Sequence, residues 1–559
     1  MKSRTSFFNF SVLRKNLTRF APLWVLYAIA EVLCLMTLDL QNPARVADNI
    51  NDIMGPAGIF HMGYALLVAA CLFGDLFDSR MCNGLHALPM RREGWLLTNL
   101  ASGFLFALIP AIAGGAVAAV ILKEFFWMAF LWQGVSLLQF VFFFGVAVLS
   151  TLCAGKRLGM IGVYALVNFL AMLVFWAATL IYQPLLPGVV LSDENFTLFS
   201  PVIQMANLTF VDYWYDWNLG GFFRGFIRES WICLYAYAGV GLLFLVVSWI
   251  LYRKRHLETA GDFISFRPVK MVFLLAYTIA AGLLVYSFTD LVFGRAVDYG
   301  FLVVGILIGW FTGWMLLERT IKIFTKKVLL SFAVFALVFA GSLGLTVWDP
   351  AGVVTYVPAP EKVASASMYL LNDAYRYDGS NRFGGWHITD PKEINFVQDT
   401  HRAMIDSLDE PYDECIPVGV QYRLENGITV QRRYDVPVGS SAEEPINTFF
   451  NDPRALLHTS ENWETVKKNV QSVEIHWYDD KLPAVIHSWQ HQQQLEDILT
   501  AFENDCQAGT LSQHRYLHGI YDPVVGMTIT WDDQQYGKRS EHFSVYTGCT
   551  HLYEILKHM

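Results

Sequence analysis

The 559-residue sequence has few charged residues: they make up 16% of the chain, whereas 54% of its residues are apolar. A soluble protein of ordinary composition carries about 25% charged residues. The shortage therefore excludes a purely cytosolic protein. No feature of the sequence indicates nucleic-acid binding, and the formal net charge is −9.

Cysteine is also scarce, with eight residues in the whole chain. No two of them have C-x-x-C spacing, which argues against a redox motif or a zinc ribbon. Three of the eight lie in the C-terminal part, at Cys415, Cys506 and Cys549. Because that number is odd, at most one disulfide is expected among them.

Common catalytic motifs are missing as well. No G-x-S-x-G nucleophile motif occurs. Two histidine pairs, His487 with His491 and His514 with His518, have the i, i+4 spacing of zinc-binding helices. Both pairs lack the adjoining Glu of a metalloprotease and an evident third ligand. We therefore expect no metal site in this chain.

A phosphate-binding loop is absent too. A Walker A loop requires G-x-x-x-x-G-K-[ST], so that backbone N–H groups surround the phosphates. The Gly-Lys pair nearest to a plausible turn is Gly155-Lys156, but Arg157 follows it and Ser150 stands where the first glycine is needed. If ATP drives this protein, a separate subunit has to hydrolyse it.

The charges that are present divide the chain into two parts near Pro358. Residues 1–357 hold 24 Lys and Arg against 19 Asp and Glu, whereas residues 358–559 hold 16 against 30. The acidic surplus of the second part would favour cationic ligands, although a solvated acidic surface is the more common explanation. We interpret the two parts separately.

Nine apolar stretches in the first part are long enough to cross a bilayer, since a helix rises 1.5 Å per residue and the hydrocarbon core is about 30 Å thick. They cover residues 20–38, 55–74, 95–122, 125–153, 158–182, 230–252, 271–289, 299–317 and 328–347. Eight of them contain no charged residue, and the first contains Glu31. Small residues at 113–116 and 305–313 predict close packing between helices.

The distribution of Lys and Arg predicts the orientation of these spans. With the N-terminus in the cytoplasm, the inner segments hold 19 basic residues and the outer loops hold five. Positively charged loops stay on the cytoplasmic side. Because nine is odd, the C-terminal part is expected outside the plasma membrane.

Two segments outside the spans have an amphipathic or aromatic character. Residues 1–19 place apolar side chains at i, i+3, i+7 and i+10 opposite basic ones, which predicts an interfacial elbow helix; a cleaved signal peptide is the alternative. In the outer loop at 183–229 the aromatic second half favours short re-entrant or interfacial helices, and an aromatic belt without a further role is the alternative.

The segment at 77–94, between the second and third spans, contains G-x-x-x-L-P-x-R-R from Gly84 to Arg92. It resembles the coupling loop of permease subunits of type-2 ATP-binding-cassette (ABC) transporters, in which a short helix docks onto the ATPase. The order of elements is similar too: elbow, two spans, coupling loop, three spans, re-entrant outer segment, sixth span. Residues 252–261 resemble a juxtamembrane motif of Gram-positive bacterial permeases that continue with extra spans and an extracytoplasmic domain.

The resemblance implies a permease that binds no cofactor itself. A partner ABC ATPase subunit would hold ATP and magnesium, and a second permease chain, identical or different, would complete the transporter in the bilayer. The implied ATPase-docking residues are Leu85, Leu88, Pro89, Arg91 and Arg92, and those of the second cytoplasmic motif are Arg253, Arg255, Glu258 and Gly261. Arg91 and Arg92 have the alternative role of fixing the topology.

Glu31 is a candidate functional residue because a carboxylate within a membrane costs several kcal/mol unless it finds a partner. Counted from the outer ends of the first two spans, Glu31 and His61 lie at similar depth. We therefore predict a contact between Glu31 and His61. A protonated Glu31 bonded to a backbone carbonyl, or a shallower position, are the alternatives.

The part after Pro358 has a globular pattern. Asn426-Gly427 between two strand-like runs predicts a β-hairpin. Alternating apolar residues at 473–477 and 527–531 predict further strands, Asp390 begins a helix, and Gly509 ends another.

The sequence therefore predicts an all-α membrane bundle followed by a soluble α+β domain. The expected divisions are 1–19 (elbow), 20–252 (six-span permease core), 253–357 (three more spans) and 358–559 (outer domain). We expect an exporter of an amphiphilic compound or peptide, of the drug or antibiotic resistance type. A membrane-anchored cell-envelope enzyme and a polytopic sensor, both acting through the outer domain, are the alternatives.

Overall fold

The structure is a computed structural model, and its contacts divide the chain into two compact units. The membrane unit comprises Met1–Leu180 and Asp193–Phe339, and the C-terminal unit comprises Ile181–Ser192 and Ala340–Met559. The structure describes residues 8–37, 43–87, 91–122, 126–191, 200–214, 222–255, 261–293, 299–371, 388–457, 459, 461–478, 484–511, 523–533, 537–546 and 548–558.

The membrane unit is built from helices and one small antiparallel sheet, and its last helix runs on into the C-terminal unit. Its elements are α1 (Phe10–Arg19), α2 (Ala21–Met36), α3 (Pro43–Met54), α4 (Ala57–Leu72), α5 (Ser79–Ala87), α6 (Arg92–Leu122), α7 (Phe126–Cys153), α8 (Arg157–Ala177), α9 (Pro201–Ala206), β1 (Val211–Trp214), β2 (Phe222–Phe226), α10 (Arg228–Lys254), α11 (Arg267–Phe293), α12 (Tyr299–Glu318) and α13 (Lys326–Trp348).

Eight helical segments among the described residues are long and apolar enough to cross a membrane, and the bent pair α1–α2 supplies a ninth if it counts as one span. The nine predicted stretches fall on these helices. The chain is therefore a multi-pass membrane protein, and the predicted fold class is confirmed.

The predicted elbow helix corresponds to α1, which meets α2 at an angle of 57°. Asn9 caps α1 by accepting hydrogen bonds from the N–H groups of residues 11 and 12. On the buried side, the Asn16 amide donates to Asn99 (2.7 Å) and Ser102 (3.0 Å) of α6. Phe10, on the other side, is 71% exposed. Polar contacts thus hold α1 against α6 while an apolar surface stays uncovered.

Helix α7 lies at the centre of the membrane unit and packs against α4, α6 and α10. Glycines permit the closest approach: a Cβ on Gly145 of α7 would overlap the carbonyl of Gly241 on α10. Similarly, a Cβ on Gly305 of α12 would lie 2.8 Å from the Ala281 carbonyl oxygen of α11. The small residues of 305–313 therefore lie at a close contact between helices, as predicted.

The segment between α9 and α10 differs from the prediction of short helices. Its aromatic half forms the antiparallel pair β1–β2. Asn51 of α3 anchors this pair, because its Oδ1 accepts from the N–H groups of Phe210 (3.0 Å) and Val211 (3.1 Å). Aromatic residues favour strands as well as interfaces, so composition alone does not distinguish the two structures.

The C-terminal unit contains two antiparallel sheets with helices. Strand order is β3-β4-β5 in the first sheet and β7-β6-β8-β9 in the second. The elements are β3 (Val363–Leu370), α14 (Pro391–Asp406), β4 (Cys415–Leu424), β5 (Thr429–Pro437), α15 (Glu443–Phe450), α16 (Pro453–Leu456), α17 (Trp463–Asn469), β6 (Val470–Trp477), β7 (Ala484–His487), α18 (Gln492–Gln507), β8 (Pro523–Asp533), β9 (Gly537–Tyr546) and α19 (Thr550–Lys557).

The local signals of this unit are confirmed. The hairpin of β4 and β5 turns at Gly427, which has a φ of +84°. Asp390 caps α14 by accepting from the Lys392 N–H, and Gly509, with a φ of +73°, follows α18. Each sheet has its own buried apolar cluster.

A distant segment completes the first sheet. Val189, which follows α8, forms an antiparallel bridge with Arg432 on β5. The Arg433 N–H donates to the Gly188 carbonyl at 3.0 Å. Gly188 has a φ of +75°, and a Cβ there would overlap the Tyr434 ring. Residues of the predicted outer loop thus belong to the same compact unit as the C-terminal sheets.

Candidate functional site

The predicted docking segment contains helix α5, between α4 and α6. Asp78 fixes the start of α5, since its Oδ1 accepts from the N–H groups of Arg80 (2.8 Å) and Met81 (3.2 Å). Cys82 is 3% exposed and joins the apolar core, whereas Met81 is 53% exposed. Helix α5 therefore rests on the bundle through one side and leaves another side open.

Two of the five predicted docking residues have described side chains. Arg91 and Arg92 lie at the start of α6 and are exposed. Leu85 lies in α5, but its side chain is outside the described residues, as are Leu88 and Pro89 entirely. That these residues dock an ATPase stays a prediction.

Arg255, from the predicted second motif, is a buried cation at the end of α10. It is 7% exposed. Its guanidinium donates to the carbonyl oxygens of Thr151 (3.1 Å), Leu152 (3.3 Å) and Ala154 (2.9 Å), and to that of Leu76 (3.3 Å). The last carbonyls of a helix lack intrahelical partners and carry a partial negative charge. Arg255 thus satisfies the end of α7 and ties it to the turn that precedes α5.

Arg253 has a different environment although it is only two residues away. Its guanidinium pairs with Glu93 of α6 at 3.1 Å and lies 4.3 Å from the ring centroid of Trp249. The Arg253 side chain is 54% exposed. An exposed ion pair of this kind contributes little to stability.

Gly261, also from the predicted second motif, contacts the turn between α7 and α8. Glu258 lies outside the described residues. The Gly261 N–H donates to the Gly155 carbonyl at 2.8 Å, and its own carbonyl accepts from Arg319. The φ of Gly261 is +98°, a conformation that favours glycine. The turn between α7 and α8 is therefore held by residues that the sequence places more than a hundred positions later.

A hydrogen-bond chain crosses the interior of the membrane unit. The Gln139 amide donates to the Met54 carbonyl (2.9 Å), so its oxygen is the atom that faces His61 Nδ1 (3.0 Å). His61 Nδ1 therefore carries a proton, and Nε2 lies 3.0 Å from the Tyr27 hydroxyl oxygen. Through its two ring nitrogens His61 links α2 to α7.

The predicted contact between Glu31 and His61 is not formed. Tyr27, one helical turn before Glu31, occupies the position next to His61. Estimates of depth from span ends are uncertain by a few residues, and one turn of error moves the contact to another residue. Glu31 instead lies against Gly114 of α6, beside the amide of Gln133 on α7.

Sequence reasoning missed the polar side of α7. Gln133, Ser136 and Gln139 are 6%, 3% and 0% exposed. Their spacing of three residues puts them along one side of the helix. Two amides within an otherwise apolar span were the signal that could have identified them.

The C-terminal unit has an open cleft of about 600 Å³. Carboxylates line it, but they are already paired: Arg454 contacts Asp452 (2.7 Å) and Glu393 (2.9 Å), and Lys467 contacts Glu503 (2.6 Å). These ion pairs account for the three carboxylates that line the cleft. Among the described residues, each carboxylate that lines the cleft is therefore ion-paired.

The core beneath the first sheet contains a buried histidine. His401 contacts the hydroxyl groups of Tyr422 (3.1 Å) and Tyr434 (2.8 Å). Burial, together with the positive charges of Arg432 and Arg402, lowers the pKa of His401 to about 3. His401 is therefore a neutral structural residue at ordinary pH.

The histidine pairs noted in the sequence lie in different situations. His487 stacks on Trp489, with ring centroids 5.6 Å apart, and His491 precedes α18. His514 and His518 lie outside the described residues. Within the described part of the chain, no three His, Cys, Asp or Glu side chains are grouped closely enough to hold a metal ion.

Comparison of the chain with protein-family models, with curated proteins and with solved structures gave no match. The structure itself establishes a multi-pass helical membrane protein with a C-terminal region of antiparallel sheets and helices.

Proposed function

We propose that this chain is the permease subunit of a bacterial type-2 ABC exporter and that separate ATPase subunits bind ATP and magnesium. The observation that carries the proposal is α5: a short, capped helix between the second and third predicted spans, with one side buried and Met81 exposed. The resemblance of residues 77–94 to a coupling loop supports the same function.

The hydrogen bonds of Arg255 support the proposal, because they connect the turn before α5 to the centre of the bundle. Through this guanidinium, the turn that precedes α5 is bonded to the end of α7 and to the end of α10. Helix α7 in turn packs against α4, α6 and α10. A force applied to α5 would therefore reach the centre of the bundle through hydrogen bonds and close packing.

Further parts of the proposal rest on the sequence. The basic residues favour a cytoplasmic N-terminus in the plasma membrane and an extracytoplasmic C-terminal domain. A second permease chain would complete the pathway. The cargo would be an amphiphilic compound or peptide, in the manner of resistance exporters.

Site-specific photocrosslinking in the native membrane tests the docking surface. A photoreactive residue at Met81, 53% exposed, is compared with one at Phe226, 56% exposed and on β2. We expect position 81, and not position 226, to capture a protein that contains a Walker A motif, as identified by mass spectrometry. Capture of such a protein equally from both positions, or from neither, would refute the docking function of α5.

A further inference from the structure

Glu31 and Gln133 meet at a contact of three helices inside the membrane unit. Each is 6% exposed. A Cβ on Gly114 of α6 would overlap Glu31 Oε2, and a Cβ on Gly115 would lie 2.9 Å from Gln133 Cγ. The two glycines therefore make room for the two polar side chains.

Four polar atoms at this contact have no hydrogen bond of normal geometry with any described residue. They are both carboxyl oxygens of Glu31 and both the oxygen and nitrogen of the Gln133 amide. Buried polar groups in native proteins are almost always hydrogen-bonded, because leaving one unpaired costs on the order of 1–3 kcal/mol. The observed arrangement therefore requires something that pairs these atoms.

The surroundings offer no positive charge to an ionised Glu31. No charged side chain among the described residues acts on its carboxyl group. The residues next to Glu31 are Tyr27 and Cys34 on α2, Gly114 on α6 and Gln133 on α7; beyond Tyr27 lie Ser136 on α7 and His61 and Tyr64 on α4. An unpaired carboxylate in such an interior is costly.

We propose that Glu31 and Gln133 form a proton-binding site. With a proton bound, the Glu31 carboxylic acid donates its O–H to Gln133 Oε1 and accepts from Gln133 Nε2 at its second oxygen. This cyclic acid–amide pair gives all four atoms a partner. The proton is transferred from a hydronium ion of the solvent: one O–H bond of the hydronium breaks and leaves water, while the O–H bond of the Glu31 carboxyl group forms. Release of the proton to water is the reverse step, and the charge of Glu31 changes by one.

The amide distinguishes a proton from a metal or organic cation as the ligand. One half of the Gln133 amide is an N–H donor, which repels a cation but complements a carboxyl oxygen. The two side chains also fill the space over Gly114 and Gly115, and a proton needs no additional room.

Loss of the proton would remove one of the two hydrogen bonds of this pair. One oxygen of the carboxylate would still accept from Gln133 Nε2, but the other would face Gln133 Oε1, acceptor against acceptor, and the negative charge would have no cationic partner among the described residues. The bound proton thus stabilises the packing of α2 against α6 and α7, and its release favours their separation. The proposed binding of a proton does not depend on the proposed docking of an ATPase to α5.

Infrared spectroscopy of the full-length protein in lipid nanodiscs tests the proposal. At about pH 7 an ordinary glutamate, with a pKa of about 4.3, is ionised. We expect the wild type to show the carbonyl stretch of a protonated carboxyl group, and Glu31→Gln to lose it. The exposed Glu361→Gln serves as the matched control and should leave the band unchanged. Equal bands in wild type and Glu31→Gln would overturn the proposal.

A transposed pair keeps the test independent of folding defects. The double variant Glu31→Gln with Gln133→Glu restores an acid and an amide at the same contact, so the band should return. Gln133→Leu alone should shift the band and lower the melting temperature. A double variant that folds but lacks the band would also overturn the proposal.

Discussion

Arg255 and Arg253 stand two positions apart, yet their surroundings lead us to expect different contributions to the stability of the protein. Arg255 is 7% exposed and has four carbonyl partners, whereas the side chain of Arg253 is 54% exposed and has one carboxylate. The sequence predicts both as basic residues of one motif, because charge and spacing are visible in it. Which of the two is buried depends on the packing of α7, which lies a hundred residues earlier.

Substitution of Arg255 should therefore be the more damaging of the two. Arg255→Ala leaves buried carbonyls unpaired, and we expect a loss on the order of 3 kcal/mol. Arg255→Lys should recover only part of it, since an ammonium lacks the planar fork. Arg253→Ala should cost less than about 1 kcal/mol. Thermal unfolding of the purified full-length variants checks the order, and an equal loss at both positions would contradict it.

Gly114 should tolerate a side chain only when Glu31 is shortened. Gly114→Ala places a methyl group on the Glu31 carboxyl, and overpacking of this kind costs about 1–3 kcal/mol. In the Glu31→Ala background the same change should be nearly neutral. Gly134→Ala is the matched control, because no atom lies within 4 Å of its added Cβ. The melting temperatures of the wild type, Gly114→Ala, Glu31→Ala and the double variant measure this coupling. If the losses of the two single variants simply added up in the double variant, the contact between Gly114 and Glu31 would be contradicted.

His401 should make the C-terminal unit sensitive to acid. Its pKa is about 3 in the folded protein, against 6.5 for an ordinary histidine. Below about pH 6.5 the unfolded chain binds a proton that the folded chain does not, so stability is complete above that pH and falls towards pH 3, by a few kcal/mol in the limit. Hydrogen exchange of β4 and β5 amides, corrected for the intrinsic effect of pH, measures this loss.

One variant separates the His401 effect from other titrations. His401→Gln should lower stability overall but make its dependence on pH flatter. Identical slopes in wild type and His401→Gln would show that His401 does not control the acid response.

At the scale of elements, helices and hairpins were predictable wherever a local signal decides them. Long apolar stretches gave the spans, and Asn426-Gly427 gave the turn between β4 and β5. The pair β1–β2 was not predictable, because Asn51 of α3 anchors it from 160 residues away. The Glu31–His61 contact failed for a related reason: the rotation and depth of a span are set by its neighbours.

The crossing of α7 and α10 depends on Gly145 of α7 and Gly241 of α10. A Cβ on Gly241 would lie 2.5 Å from Phe142 Cα, so a larger residue has to push the helices apart. We expect Gly241→Leu to lower the melting temperature sharply, by the equivalent of about 1–3 kcal/mol or more. Gly239→Leu, two residues earlier and with open space around it, should have little effect. Comparable losses at both positions would contradict the close approach.

For the whole molecule, the sequence predicted the fold class and the change of character near Pro358. It did not predict that residues after α8 join the C-terminal sheets, because a single bridge at Val189 leaves no periodic signal. The candidate docking helix was predictable from its resemblance to a coupling loop. That Arg255 ties the turn before this helix to the end of α7 is visible only in the structure.

A fragment of residues 349–559 lacks the segment around Val189 that pairs with the edge strand β5. We expect a peptide of residues 181–191 to raise the melting temperature of the 349–559 fragment by covering the edge of β5. The same peptide with Gly188→Val should not, since its side chain would overlap Tyr434. Equal stabilisation by both peptides would contradict the observed pairing.

The bridge from Val189 to Arg432 also affects how the chain is made. About 240 residues separate the two partners, and a ribosome adds about 5–20 residues per second. The earlier partner therefore waits on the order of ten to fifty seconds before the later one exists. Four further apolar helices are synthesised in that interval, so closure of this sheet is a late event of biogenesis, and ribosome-bound chains truncated before residue 432 should leave residues 183–191 open to proteolysis.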